Sequence, residues 1–319
     1  MYLNKKISCV LPTYKSKDQI LDVIMRIESY VDRIYIVDDC CPLGTGQYVK
    51  DNCTDERVKV IFHKQNKGVG GAVITGYKAA IEEGMDVVVK IDSDGQMDPC
   101  LIPRFIGPII RAEADYTKGN RFFFLNEIHQ MPKIRIFGNS VLSFMTKFST
   151  GYWNVFDPTN GYTAINARIL SKLDLDKIEE RYFFESDMLF RLNIIRAVVE
   201  DVPMDCKYAE EVSNLHISKI IHEFLFKHLR NFFKRIFYNY YLRDMSIASF
   251  ELPIGFGFLL FGLIYGLYNW IKNYNANVLT PTGTIALPAL LVIVGIQLLL
   301  SFINYDVSNI PHKPLGDKY

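Results

Sequence analysis

Among its six cysteines the 319-residue chain has no CxxC pair and no Cys/His spacing of a metal knuckle, which sets aside a zinc-stapled fold. The vicinal Cys40 and Cys41 and the other four read as reduced thiols of a cytosolic domain. An excess of one charge is also lacking. With 36 Lys and Arg against 35 Asp and Glu, the formal net charge is +1, which by itself says little about partners because the basic cluster is local; no nucleic-acid partner is expected. The amino terminus has no apolar h-region, since Met1 to Lys6 leads straight into the short run ISCVLP, and no signal peptide is expected there. Two later stretches, Leu252 to Ile271 and Thr284 to Ile303, contain no charged side chain over about 20 positions each. Each is long and apolar enough to span a bilayer as a helix.

Charge that is balanced overall is uneven locally. Lys227, Arg230, Lys234, Arg235 and Arg243 precede the first span, the loop between spans offers only Lys272, and Lys313 and Lys318 follow the second. The positive-inside rule then keeps both the amino-terminal domain and the tail in the cytosol, and a bilayer such as a bacterial inner membrane is the expected location. From Ile217 to Tyr241, Ile220, Ile221, Phe224, Leu225, Leu229, Phe232, Phe233 and Ile236 alternate with bases and aromatics. This reads as one or two interfacial amphipathic helices on an anionic leaflet, with a partner-helix interface as the alternative. The expected division is a soluble domain over residues 1–213, juxtamembrane helices over 214–250, two transmembrane helices over 251–305 and a cytosolic tail over 306–319.

Within the soluble domain, short apolar runs alternate with helical segments. Ile7 to Leu11, Ile34 to Val37, Val58 to Phe62 and Val87 to Ile91 read as strands. Helices are expected around Ile20 to Ile27, over Thr45 to Asn52 and over Ala72 to Glu83. That order predicts an α/β fold with a mostly parallel sheet and crossover helices, and polar residues collect where each strand ends. At the end of the fourth strand, in VVVKIDSDGQMDP, Asp92 and Asp94 stand one residue apart. Open α/β sheets bind ligands at the carboxyl ends of their strands, and two like charges there call for a divalent cation with a diphosphate in its shell. An acidic turn capping the helix from Leu101 is the plainer alternative. Pro12-Thr13-Tyr14 reads as a turn, Asp38-Asp39 as a helix cap, and Asn66, Gly68, Gly70 and Gly71 as a loop that either needs positive φ or lets backbone approach a nucleotide, with Lys67 facing phosphate.

Taken together, VLPTYKS, IVDDC, NKGVGGAVITGYKAA and KIDSDGQMDP resemble the amino-terminal half of family 2 inverting glycosyltransferases with the GT-A (Rossmann-like) fold. The resemblance implies a nucleotide-sugar site drawn from Pro12, Tyr14, Asp39, Asn66, Lys67, Asp92 and Ser93, serving a UDP or GDP sugar. It implies Mg²⁺ or Mn²⁺ at Asp92 and Asp94, and the D-x-D-x-Q pattern, with Gln96 also reaching the metal, resembles the dolichyl-phosphate mannose synthase and polyprenyl-phosphate branch. The acidic residue usual after Pro-Thr-Tyr is absent, because Lys15, Ser16 and Lys17 stand there.

Further along, Arg121 follows the strand-like YTKGN, and Arg135 and Asn139 lie in KIRIFGNSVLSF, whose apolar spacing is helical. In the resembling branch such an arginine pair holds the lipid phosphate; by themselves they read as surface residues. DPTNGYTAI resembles an acceptor-side loop beginning at Asp157, with Asn160 in place of a serine, and YFFESDMLFRL resembles a helix that brings Glu185 and Asp187 toward the acceptor. Acids at a helix start also complement its dipole. Where relatives often show Arg and Gly-x-Ser-Lys, this chain has Lys207, Tyr208, Ser213 and Asn214. The implied activity is metal-dependent, inverting transfer of one sugar from a nucleotide diphosphate to undecaprenyl or dolichyl phosphate, with Asp94, Asp157, Glu185 and Asp187 as catalytic candidates. A processive polysaccharide synthase would need a Q-x-x-R-W-type motif, yet the only tryptophans are Trp153 and Trp270. A silent membrane scaffold is the other rival, and a homo-oligomer stays open.

Overall fold

The computed structural model describes residues 2–123, 133–204 and 217–316, except the side chains of 133–135 and 217–221. Strand β1 (Ile7–Thr13) is followed by α1 (Ile20–Met25), β2 (Arg33–Asp38), α2 (Thr45–Asn52), β3 (Val58–Phe62) and α3 (Val69–Glu82). Next come β4 (Val87–Lys90), α4 (Ile102–Ile110), β5 (Tyr116–Asn120), α5 (Lys133–Thr150), β6 (Thr163–Asn166) and the single-turn α6 (Ala167–Leu170). The remaining elements are α7 (Phe184–Ile194), β7 (Val199–Pro203), α8 (Ile217–Phe237), α9 (Ala248–Asn275) and α10 (Thr282–Ser308).

The strands form one seven-stranded sheet in the order β3-β2-β1-β4-β6-β5-β7. β1, β2, β3 and β4 pair in parallel, as do β5 and β7, while β6 runs antiparallel between β4 and β5. The β-branched and apolar runs of β1 and β4 are buried on both faces, as central strands covered by helices must be. Ile7, Cys9 and Leu11 of β1 share a core with Val87 and Val89 of β4 and with Phe105 and Ile106 of α4. One row is different in kind. Lys90 of β4 lies opposite Thr163 of β6, Thr163 opposite Lys118 of β5, and Lys118 opposite Asp201 of β7. Residues paired this way project to one face, so two buried lysines flank a buried threonine inside the sheet.

The chain folds as two units. The first comprises Met1–Arg235 and Pro311–Tyr319, the second Ile236–Ile310. Most of α8 therefore belongs to the α/β unit rather than to a separate juxtamembrane segment, for a visible reason: Asn231 donates to Asp187 (3.0 Å), and Lys227 and Arg230 pair with Glu179 (2.7 and 3.1 Å). The segment after α10 also belongs to the first unit. The backbone N–H groups of Leu315 and Gly316 each donate at 2.8 Å to the carboxylate of Asp115, which is fully buried and also accepts from Val198 N–H at 2.8 Å. In the second unit, α9 and α10 are long and apolar enough to cross a membrane, with mean hydropathies of 1.7 and 2.5. They pack through small residues: a Cβ on Gly295 would lie 2.9 Å from the Gly255 carbonyl oxygen, a backbone approach that only glycine permits.

Candidate active site

At the ends of β1 and β2 the carboxylates organise the loops before they meet any ligand. Asp38 accepts the N–H groups of Cys41 (2.7 Å) and Gly46 (2.6 Å), fastening the start of α2. Asp39, almost wholly buried, accepts the N–H groups of Lys67 and Gly68 at 2.8 Å each and shares a 2.8 Å hydrogen bond with His63 Nδ1. His63 in turn meets Thr75 Oγ1 through Nε2 at 2.8 Å, and Asn66 Nδ2 donates to the Asp39 carbonyl at 3.2 Å. The structure thus brings Asp39, Asn66 and Lys67 together, with His63 as a member that no spacing signal announced. Gly68 opens α3 at φ +92, where a Cβ would also lie 2.7 Å from the Glu180 carbonyl oxygen, so a side chain is excluded on both counts. Ser93 Oγ donates to the Pro12 carbonyl (2.9 Å) and meets Ser16 Oγ (2.7 Å), linking the end of β1 to the acidic turn. Tyr14 stands exposed beside them, with Lys15 Nζ 5.4 Å above its ring.

The acidic turn after β4 carries the centre of the site. Asp92, Asp94 and Gln96 are half-buried, and Asp94 Oδ1 accepts the Gln96 N–H at 3.0 Å. Beneath them lies Lys90, whose Nζ is 3.0 Å from Asp92 Oδ1 and 3.2 Å from Glu185 Oε1 in the first turn of α7. Burial works to depress the Lys90 ammonium, but the two carboxylates outweigh it and hold the group well above the ordinary lysine range. Gly161 covers the pair so closely that an added Cβ would touch Asp92 Oδ2 and lie 2.5 Å from Lys90 Nζ. For the neighbouring Lys118 burial outweighs the nearby carboxylates of Glu185, Asp157 and Asp201. Its Nζ donates to the Asn160 carbonyl at 2.5 Å, and burial pushes the amine down to about 8. Asp201, on the same row, is pushed up to about 6 by burial.

On the acceptor side, Arg121 grips Asp157 with two guanidinium nitrogens, Nε to Oδ2 at 2.7 Å and Nη2 to Oδ1 at 2.9 Å. Such a fork is the strongest form of carboxylate pairing. Asp187 is not at the site mouth. It is fully buried and accepts from Arg191 Nε (2.8 Å), Asn231 Nδ2 (3.0 Å) and the Glu179 N–H (3.2 Å), so its carboxylate joins α7, α8 and the 179 loop. Asn139 is half-buried on α5. The Arg135 side chain and Lys207, Tyr208, Ser213 and Asn214 lie outside the described residues.

Among the described residues no group of three His, Cys, Asp or Glu converges as a metal cage. Mg²⁺ does not require one, since it is held by one or two carboxylates and completes its shell with water and substrate phosphates. Asp92, Asp94 and Gln96 offer hard oxygens of that kind. The local charge also fits: the carboxylates of Asp92, Asp94 and Glu185 outnumber the Lys90 ammonium by two, the charge of one divalent ion.

The model of the family described as Glycosyl transferase family 2 matches residues 8–174. Among curated proteins, the UDP-N-acetylglucosamine–dolichyl-phosphate N-acetylglucosaminyltransferase of Methanococcus voltae is 33% identical over 221 residues, which are 65% of this chain and 88% of that protein. The undecaprenyl-phosphate mannosyltransferase of Micrococcus luteus is 30% identical over 203 residues, 62% of this chain and 82% of the relative. Among solved structures, glucosyl-3-phosphoglycerate synthase from Mycobacterium tuberculosis, in complex with Mn²⁺, UDP and phosphoglyceric acid, aligns with a TM-score of 0.55 at 17% identity, covering 73% of this chain and 78% of that one. At that identity the likeness speaks for the fold, which is the GT-A arrangement expected from the strand-end motifs.

Proposed function

From a chain that belongs to glycosyl transferase family 2, and is therefore a glycosyltransferase, we propose the transfer of a single sugar from a nucleoside diphosphate to a polyprenyl phosphate at the cytosolic face of a membrane. The observation that carries the acceptor class is the pairing of the candidate bases. Glu185 is engaged by Lys90, Asp157 by Arg121 and Asp187 by Arg191, so each would have to leave a cation to take a proton. A neutral hydroxyl acceptor needs such a base. A phosphate monoester, with its second pKa near 6, is already an anion at pH 7 and does not. The relatives' names point the same way, to dolichyl and undecaprenyl phosphates.

In this reading the ends of β1, β2 and β4 take the nucleotide sugar. Asp39 holds the loop of Asn66 and Lys67 around the nucleoside, and Ser93 ties the acidic turn to Pro12. Asp92, Asp94 and Gln96 would hold Mg²⁺ or Mn²⁺, which would supply positive charge to offset the negative charge growing on the leaving diphosphate. Arg121 and Arg135 offset repulsion between two phosphate-bearing substrates, and Asp157 keeps Arg121 aimed until the acceptor competes for it. The acceptor oxygen then attacks the anomeric carbon from the face opposite the diphosphate, which inverts it. Exposed Phe137 and Phe144 on α5 and exposed Phe226 and Phe233 on α8 supply apolar surface suited to a lipid interface. The basic residues ahead of α9, with Lys272 alone in the loop after it and Lys313 and Lys318 in the tail, favour a cytosolic α/β unit and tail by the positive-inside rule.

The test is incubation of membranes containing the chain with radiolabelled nucleotide sugars, counting label that enters the organic phase. Label from one donor, abolished by EDTA, is the expected result. Label confined to the aqueous phase with every donor refutes the lipid acceptor, and full transfer in EDTA refutes the metal.

A further inference from the structure

We propose that Lys90 is a positioning residue that sets the charge and the aim of the donor site by holding Asp92 and Glu185 on one buried ammonium; this rests on the metal-dependent reading above. Lys90 closes β4 with 1% of its side chain exposed, while Glu185 is 13% and Asp92 29% exposed. The triad therefore runs from the sheet interior to the mouth of the site. Asp92 cannot turn freely. Its Oδ1 is on the ammonium at 3.0 Å, and its Oδ2 lies directly under the Gly161 backbone. Glu185 belongs to the first turn of α7, so the same ammonium couples the metal-side strand end to the acceptor-side helix.

The bookkeeping of charge gives Lys90 a second effect. Without it, Asp92, Asp94 and Glu185 would present three negative charges to a divalent ion, and the ion would be bound tightly but with Asp92 free to rotate. With it, two remain. A fixed internal cation thus trades metal affinity for a defined carboxylate orientation, and the two quantities separate in variants. A residue that only filled space would move them together.

The experiment titrates Mn²⁺ alone into the detergent-solubilised full chain, following free Mn²⁺ by electron paramagnetic resonance, beside transfer kinetics on membranes. Lys90→Met should tighten Mn²⁺ uptake about tenfold, because a repelling unit charge is gone, while kcat falls by about tenfold or more. Glu185→Gln, which keeps the side-chain shape, should weaken Mn²⁺ uptake by about tenfold, and the double variant should return it to within about threefold of the unaltered chain. Weaker or unchanged uptake in Lys90→Met overturns the assignment. Where Lys90→Met does not fold, Glu185→Gln decides alone, and indifference to it overturns the assignment equally. An unaltered chain that takes up no Mn²⁺ brings down the metal reading and the triad with it, whereas uptake indifferent to all variants brings down the triad only.

Discussion

Gly161→Ala tests the architecture of the site with a single methyl group. The glycine does not sit in the left-handed region, so the substitution adds no backbone strain of that kind, and its whole effect is spatial. The new Cβ would fall within contact distance of Asp92 Oδ2 and 2.5 Å from Lys90 Nζ, at the ends of two side chains that are ion-paired with each other. Lys90 has little room to retreat, because it is buried and already engaged by Glu185, so the partly exposed Asp92 carboxylate takes most of the displacement. Overpacking of a close-packed site costs roughly 1–3 kcal/mol, which for a unit of this size lowers Tm by about 2–4 °C per kcal/mol. The 157–161 segment, the Asp92 carboxylate or both must shift by some tenths of an ångström. A misplacement approaching 1 Å costs up to about 10²-fold in rate, so kcat should fall by about 10–100-fold while the spectrum of the folded chain is kept. Differential scanning calorimetry of the detergent-solubilised protein and transfer kinetics on the same preparation measure both. An alanine variant with unchanged Tm and unchanged kcat would show that Gly161 does not press on the pair and would refute the reasoning.

Asp94→Asn should abolish transfer with Tm within a few degrees of the unaltered chain, and EDTA should mimic it; turnover surviving either, scored as label in the organic phase, removes Asp94 from the metal. Arg121→Met leaves Asp157 buried without its guanidinium and should destabilise by roughly 3–5 kcal/mol, whereas the pair Arg121→Met with Asp157→Asn should recover most of it; denaturant titration of the three variants measures the coupling. Lys118→Met should stabilise by roughly 1–3 kcal/mol at neutral pH, because a buried ammonium is removed. The folded chain releases the Lys118 proton near 8 and the unfolded chain near its ordinary 10.5, so the unfolded state binds more protons between those values and the unaltered protein gains stability as pH rises through them. The gap between the two proteins should therefore narrow from about pH 8 to 10.5, and a constant gap in pH-dependent melting refutes the buried charge. A cysteine placed at Asn277, between the spans, should react with an impermeant reagent applied to the face opposite the α/β unit; protection there refutes the hairpin topology.

The parallel half of the sheet was legible because each of its strands is a β-branched run that stops at a polar turn, and β4 declared itself through two carboxylates one residue apart. β6 was not legible as an antiparallel insertion between β4 and β5, since that pairing joins residues some 75 positions apart (Val89 with Ala164) and leaves no local mark. The candidate acids show the limit well. Glu185 and Asp187 stand two apart on one helix, where the turn sends them to opposite sides, so only one could face the site. The signal that chose between them was Arg191, four residues beyond Asp187, which pairs with it in the interior between α7 and α8. Lys90 carried a signal too: a lysine within VVVKID cannot be buried without a carboxylate nearby, and two were found. His63 had none, because its partner Asp39 is 24 positions away and a lone histidine after a strand is common. The extent of α8 in the α/β unit likewise depended on Asn231 reaching Asp187 across 44 positions.

The carboxylate of Asp115 has a consequence for how the chain is made. It sits at the start of β5, fully buried, and three of its hydrogen bonds come from residues 315 and 316, about 200 positions later. A ribosome delivers those residues only after both apolar helices have been synthesised, some tens of seconds after Asp115 at 5–20 residues per second. During that interval the Asp115 carboxylate has the Val198 N–H but not the backbone donors of Leu315 and Gly316, which arrive later. Both long apolar helices are thus synthesised before the last stitch of the α/β unit can be made, so that unit reaches its final form only once the whole hairpin has left the ribosome.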